Sequence, residues 1–375
     1  MSLKTKGNRI FYYDFLRAFA IITIIACHVS GGYEFGHIFN QSELPFLYFS
    51  AVSFFNHSSQ IGVPIFVMLS GALLINRDYS IGEFFKKRFN RVFIPFVFWV
   101  LVFIASEILL FNNVDANKLF SIFLASPKSI GHVLWFVWMI LIVYCFIFIF
   151  NKALSLFDSL NRKRIIDVFV LLFIIFCLLV TFDVFDVMSN RLVYFSSFFG
   201  YAIFGYWLAN LDLLDSRPSK ILRLTPLRVV ILSFVIGLGL YLWYASFICL
   251  PISIAQNRFA GISIFHALTL VMVFFVFILF KYLDELEYSN VYKKFKEGMV
   301  GKLIYSISIH SYGIYFCHYL LIVILSRLMF RSMGVFNKNP LKIIPALTLI
   351  CLFASWLIVY MMGRIPYLKT LSGKG

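Results

Sequence analysis

From Phe11 onward, apolar runs of about twenty positions alternate with short polar segments almost to the end of the chain. A helix rises 1.5 Å per residue, so ~20 residues cross a hydrocarbon layer of ~30 Å. The runs predict ten spanning helices, at 11–30, 58–75, 92–111, 132–151, 165–182, 192–210, 229–249, 261–281, 303–325 and 342–363. A further apolar stretch, Leu44–Phe55, precedes the second span and reads as a re-entrant or interfacial piece. The first run is long enough to span and lacks a small-residue cleavage site, so it reads as helix one and not as a signal peptide. No long hydrophilic segment, Gly/Ser linker or internal repeat breaks the pattern. Residues 1–375 therefore read as a single all-α, polytopic membrane domain with no fused soluble domain.

Composition sharpens this. Hydrophobic residues fill 61% of the 375 positions and charged residues only 13%, where soluble chains carry about a quarter charged. That excess is too large for an internal core, so a soluble enzyme is excluded and the bilayer is the solvent. The formal net charge of +16 raises nucleic acid as a partner, but the placement of the charges answers otherwise. Of the 33 Lys and Arg, 24 fall in the N-terminus, the C-terminus and the segments 76–91, 152–164, 210–228 and 281–302, and eight in the alternate loops. The positive-inside rule then puts both termini in the cytoplasm of a multi-pass protein of the plasma membrane. The last outer loop, with Arg327, Arg331, Lys338 and Lys342, is the exception. Basic inner loops face anionic headgroups, which accounts for the charge without nucleic acid. The six cysteines all lie in apolar runs and form no C-x-x-C pair, so they read as small packing residues. Neither a disulfide nor a metal site is expected.

Ionisable groups inside the spans are the candidates for chemistry, because burying them in lipid is costly. In helix one, Asp14 stands three residues before Arg17, and His28 eleven after it. Eleven residues make about 1100° of helical rotation, within about 20° of a whole number of turns. Arg17 and His28 thus share a face, roughly 16 Å apart along the axis. Asp14 is spaced to pair with Arg17. The alternatives are a snorkelling Arg17 and an interfacial His28. After the second span, Phe84, Phe85, Phe89 and Phe93 interleave with Lys86, Lys87, Arg88 and Arg91, as in an interfacial amphipathic helix. Arg88 and Arg91 present two guanidinium groups at i, i+3, a pair suited to phosphate; ordinary positive-inside charge is the alternative. In the ninth span Ser308, Ser311, Tyr312, Tyr315 and His318 form a polar stripe at 3–4 spacing. Such a stripe belongs in the bundle interior, while His310 falls off it. His132 and Trp135 open the fourth span, where a vestibule and an aromatic belt are both readings. No HExxH, GxSxG or Walker sequence is present.

Asp14-Phe-Leu-Arg17 with His28 resembles the first helix of the acyltransferase 3 family of membrane O-acyltransferases. Further segments agree in order: Gly62-Val63-Pro64-Ile65-Phe66 with Leu69-Ser70-Gly71, then Arg88 and Arg91 before Pro95. His132 with Trp135-Phe136 and Tyr144 follows, and then Ser311-Tyr312-Gly313-Ile314-Tyr315 with His318. Ala18 departs from the family, many of whose members have Gly there. The length resembles stand-alone members. The resemblance implies an acyl-CoA donor, usually acetyl-CoA, with no permanently bound cofactor. It also implies a hydroxyl acceptor on an extracytoplasmic or lipid-linked carbohydrate. Arg88 and Arg91 would then hold CoA phosphates, and Arg17, steadied by Asp14, would guide the donor inward. His28 would take the hydroxyl proton, a task suited to an imidazole of pKa about 6.5, or carry the acyl group covalently. Ser311, Tyr312, Tyr315, His318, His132 and Trp135 would contact the acceptor or the developing oxyanion. A glycan transporter and a non-catalytic partner in glycan assembly are the rival classes, although no repeated half of the kind common in transporters is visible.

Overall fold

A computed structural model describes residues 10–40, 46–111, 116–125, 129, 131–182, 190–211, 265–285, 290–325 and 339–372, with isolated positions at 231, 235 and 239. The described residues contain no β-strand. They form α1 (Phe11–Asn40), α2 (Phe46–Ser59), α3 (Gly62–Leu74), α4 (Ile81–Arg88), a π-helical turn (Phe89–Phe93), α5 (Ile94–Phe111) and α6 (Ala116–Phe123). A 3₁₀ turn (His132–Leu134) leads into α7 (Trp135–Ser155), α8 (Ser159–Thr181) and α9 (Arg191–Ala209). Then come α10 (Ala267–Glu285), α11 (Asn290–Glu297), α12 (Met299–Leu325) and α13 (Pro340–Met362). Eight helical segments among the described residues are long and apolar enough to cross a membrane. The seventh expected span, 229–249, lies outside the described residues apart from the isolated positions.

The second span differs from its expectation. Most of the expected 58–75 is α3, preceded by the last two residues of α2 and a break at Gln60–Ile61. At 1.5 Å per residue the 13 residues of α3 reach about 20 Å, too short to cross alone. The stretch expected to be a re-entrant or interfacial piece is α2 itself. What seats α3 is glycine. A Cβ on Gly71 would lie 1.8 Å from the Ala202 carbonyl oxygen, and one on Gly205 would lie 2.2 Å from that of Met68. Absent side chains let the backbones of α3 and α9 touch, as small residues do in membrane helix pairs. This packing turns Phe66, Leu69, Ser70 and Leu73 toward a cavity.

The amphipathic segment after α3 is not a separate surface helix. It runs through the π turn straight into α5. Pro95 gives the reason. It has no N–H for the Arg91 carbonyl, and its ring crowds that carbonyl, so the turn widens. A carbonyl in the widened turn, that of Val92, accepts a hydrogen bond from Tyr312 Oη at 2.9 Å.

Helix ends follow local grammar. Asp158 accepts from the Asn161 amide at 2.8 Å, and Asn190 from the Leu192 amide at 2.9 Å. Asn339 caps α13, with Pro340 in its first turn. Outward-facing Leu101, Ile149, Leu171 and Leu357 are exposed, which in water would be a liability and in lipid is the solvated surface. Helix α1 lies at the centre, packed against α2, α3, α10, α12 and α13.

Candidate active site

A cavity of about 400 Å³ opens between α1, α3, α4, the π turn, α7 and α12. Four arginines line it: Arg17, Arg77, Arg88 and Arg91. Arg17 pairs with Asp14 at 3.5 Å, and Asp14 also accepts from Ser308 Oγ at 2.7 Å. That second bond ties α1 to α12 and fixes the carboxylate behind Arg17. Arg88 sits among the rings of Phe84, Tyr79 and Tyr144, with its guanidinium carbon 5.4, 6.0 and 6.0 Å from their centroids. Its buried Nε has no hydrogen-bond partner among the described residues. Rings hold the cation in place without neutralising it, which leaves its N–H groups available for an anion.

The rest of the lining is largely apolar and aromatic, with Phe136 and Ile140 of α7 and Tyr312 and Tyr315 of α12, together with Ser311. Tyr315 donates its hydroxyl hydrogen to the Val133 carbonyl, so the side chain is fastened to the 3₁₀ turn before α7. Tyr312 is likewise committed to Val92. Both phenols therefore serve as walls, and their donors are already engaged.

Beyond Tyr315 lies a cluster of imidazoles. The His318 ring centroid is 5.7 Å from that of Tyr315 and 5.3 Å from that of His28. His132 is 6.0 Å from His28, and Tyr319 packs edge-on against both His28 and His132. The Nδ1 of His318 lies 3.2 Å from the Ile314 carbonyl, and that of His132 lies 3.3 Å from the Ser129 carbonyl. A carbonyl only accepts, so Nδ1 carries the proton in each and the lone pair is on Nε2. The buried Nε2 of His318 has no partner among the described residues. Although three histidines meet here, no group of three His, Cys, Asp or Glu among the described residues could hold a metal ion.

The structure thus sorts the sequence candidates into two neighbouring groups. Arg17, Arg88, Arg91, Ser311, Tyr312 and Tyr315 line the cavity, with Asp14 directly behind Arg17. His28, His132 and His318 gather beside Tyr315, which His318 contacts. Trp135 joins neither: it is half-buried against Tyr194, Phe195 and Phe198 of α9. His310 is buried off the stripe, with Nδ1 2.6 Å from the Ser306 carbonyl. Sequence reasoning missed Arg77 and Tyr79, which line the cavity from the link between α3 and α4. The signal for Arg77 was present, since it opens the basic segment 76–91, but there it is indistinguishable from inner-loop charge.

A family model described as an acyltransferase domain, the acyltransferase 3 model, matches residues 10–360. No curated protein and no solved structure matches the chain.

Proposed function

The chain belongs to the acyltransferase 3 family, and on that premise we propose that it moves an acyl group, acetyl in the simplest case, from cytoplasmic acyl-CoA to a hydroxyl of an extracytoplasmic or lipid-linked carbohydrate. The observation that carries this is the continuity of the two groups through one residue. Tyr315 lines the arginine cavity and also packs on His318, the neighbour of His28. The bias of basic loops assigns the arginine end to the cytoplasm and the histidine end toward the outside. A phosphate-bearing donor and a sugar hydroxyl would then approach from opposite faces and meet near Tyr315.

In this reading Arg88 and Arg91 hold donor phosphates at the mouth, and Arg17 lies deeper, oriented by Asp14. The apolar wall of Leu69, Leu73, Phe136 and Ile140 takes the pantetheine arm. His28 removes the hydroxyl proton as the oxygen attacks the thioester carbon. The C–O bond forms, the C–S bond breaks, and the proton on His28 passes to the departing thiolate. His132 and His318, each with an Nε2 lone pair, position His28 and the acceptor hydroxyl. Holding both substrates against one base supplies proximity, which is worth more here than any single hydrogen bond.

The test is donor binding and transfer by purified protein. Wild type is expected to bind acetyl-CoA and to acylate a glycan acceptor. His28→Ala is expected to fold and still bind acetyl-CoA, yet to transfer at least ~10²-fold more slowly. His28→Gln should fail similarly, because an amide cannot cycle a proton. Near-normal transfer by well-folded His28→Ala would remove His28 as the base. Glycan export without acyl transfer by wild type would make the protein a transporter.

A further inference from the structure

Arg77 lines the cavity alongside Arg88 and Arg91. Its neighbour in sequence, Asp78, is engaged elsewhere, since Lys152 Nζ donates to Asp78 Oδ1 at 2.8 Å. That hydrogen bond, with the charge of Lys152, holds the Asp78 carboxyl below its ordinary pKa, so the carboxylate stays ionised and paired. Neither Arg77, Arg88 nor Arg91 has a carboxylate partner among the described residues. Three uncompensated guanidinium groups, with Arg17 behind them, therefore face one cavity.

The backbone at this point is also held in an uncommon shape. Asn76 has φ of 58°, in the left-handed region that Asn tolerates better than most residues. Its amide donates to Asn151 Oδ1 at 2.8 Å, and Asn151 Nδ2 donates to the Leu74 carbonyl at 2.8 Å. Asn76 Nδ2 reaches Tyr206 Oη at 3.1 Å. One buried asparagine on α7 thus pins both sides of the turn that delivers Arg77.

We propose that Arg77 is a third phosphate-binding arginine, positioned by the Asn76–Asn151 clamp, and that it makes the cavity selective for the phosphorylated nucleotide end of the donor. The inference rests on the acyl-CoA reading above. Arg77 is exposed at the rim, while Arg17 lies within the bundle. A ligand carrying a diphosphate and a further phosphate matches three separate guanidinium groups better than a single phosphoryl group does. The shared chemistry with a lipid headgroup is the phosphate ester, so the test must separate the two sources.

The experiment compares purified wild type with Arg77→Ala and Arg77→Lys in detergent, by titration with CoA, dephospho-CoA and pantetheine. Arg77→Ala is expected to weaken CoA binding roughly tenfold, the scale of one lost charged hydrogen bond. Pantetheine binding should not change, and Arg77→Lys should fall between, because the charge remains without the planar fork. If wild type binds CoA and Arg77→Ala binds it equally well, the proposal is overturned while the acyl-CoA reading stands. If wild type binds no CoA at all, that reading fails first. Loss by Arg77→Ala only of association with anionic-lipid vesicles, with CoA affinity intact, would reassign Arg77 to a headgroup.

Discussion

Arg88 shows how much a single position depends on its surroundings. A surface arginine is strongly hydrated, and its ion pairs contribute little. Here three rings surround the guanidinium and no carboxylate among the described residues answers it. Arg88→Ala should therefore weaken CoA binding by about 1.5–3 kcal/mol, measured by titration, with expression and detergent stability near wild type. Unchanged affinity would make the aromatic cage a packing device. The sequence foretold the pairing of Arg88 with Arg91 but not the cage: Phe84 is the i, i+4 neighbour of Arg88 within α4, while Tyr79 and Tyr144 come from other segments. The histidines divide in the same way. The shared face of Arg17 and His28 follows from helical rotation alone. The meeting of His28 with His132 and His318 is a tertiary fact, set by how α1, the 3₁₀ turn before α7 and α12 pack. Trp135 shows the limit of motif reasoning, since its place beside His132 in the chain does not place it beside His132's neighbours in space.

Among elements, α3 is the one whose behaviour the chain hid most. The run 58–75 reads as a span by length, yet it opens on Ser58-Ser59-Gln60, the end of a polar stretch from Asn56 that coincides with the break at Gln60–Ile61. What holds so short a helix in the bundle is contact with α9 through Gly71 and Gly205. Gly71→Leu should force the two backbones apart. The expected outcome is a marked drop in folded yield and in the unfolding temperature of purified protein, with Gly82→Leu as a control, since a Cβ at Gly82 meets nothing within 4 Å. Normal yield and stability of Gly71→Leu would mean that α3 is seated by its other faces. Most other elements were legible because lipid imposes a simple rule of one apolar run for one helix. The π turn was not read from the sequence, where the span 92–111 runs straight through Pro95; a proline disturbs a helix, and only packing decides that the result is a widened turn and not a helix end.

For the molecule as a whole, the charge bias and the packing converge independently. The segments that the basic loops assign to the inside, the N-terminal part of α1, the link after α3, and α4 with its π turn, carry the four arginines of the cavity. A reporter that works only in the cytoplasm should therefore be active when fused after Gly375. Activity only from an outside reporter would require a different number of crossings. The link between Tyr315 and Val133 has a consequence at this scale as well. Bringing two water-borne reactants together in mid-membrane invites a leak, because a thread of water between them would conduct protons. A gradient of 100 mV drives each one with about 2.3 kcal/mol. On the proposed transfer between opposite faces, the fastened ring would act as an insulator, keeping the cell's proton store sealed while the acyl group is handed over. Vesicles carrying Tyr315→Ala should lose an imposed pH gradient faster than those carrying wild type, read with a trapped pH-sensitive dye, and equal decay would place the insulation elsewhere in the bundle.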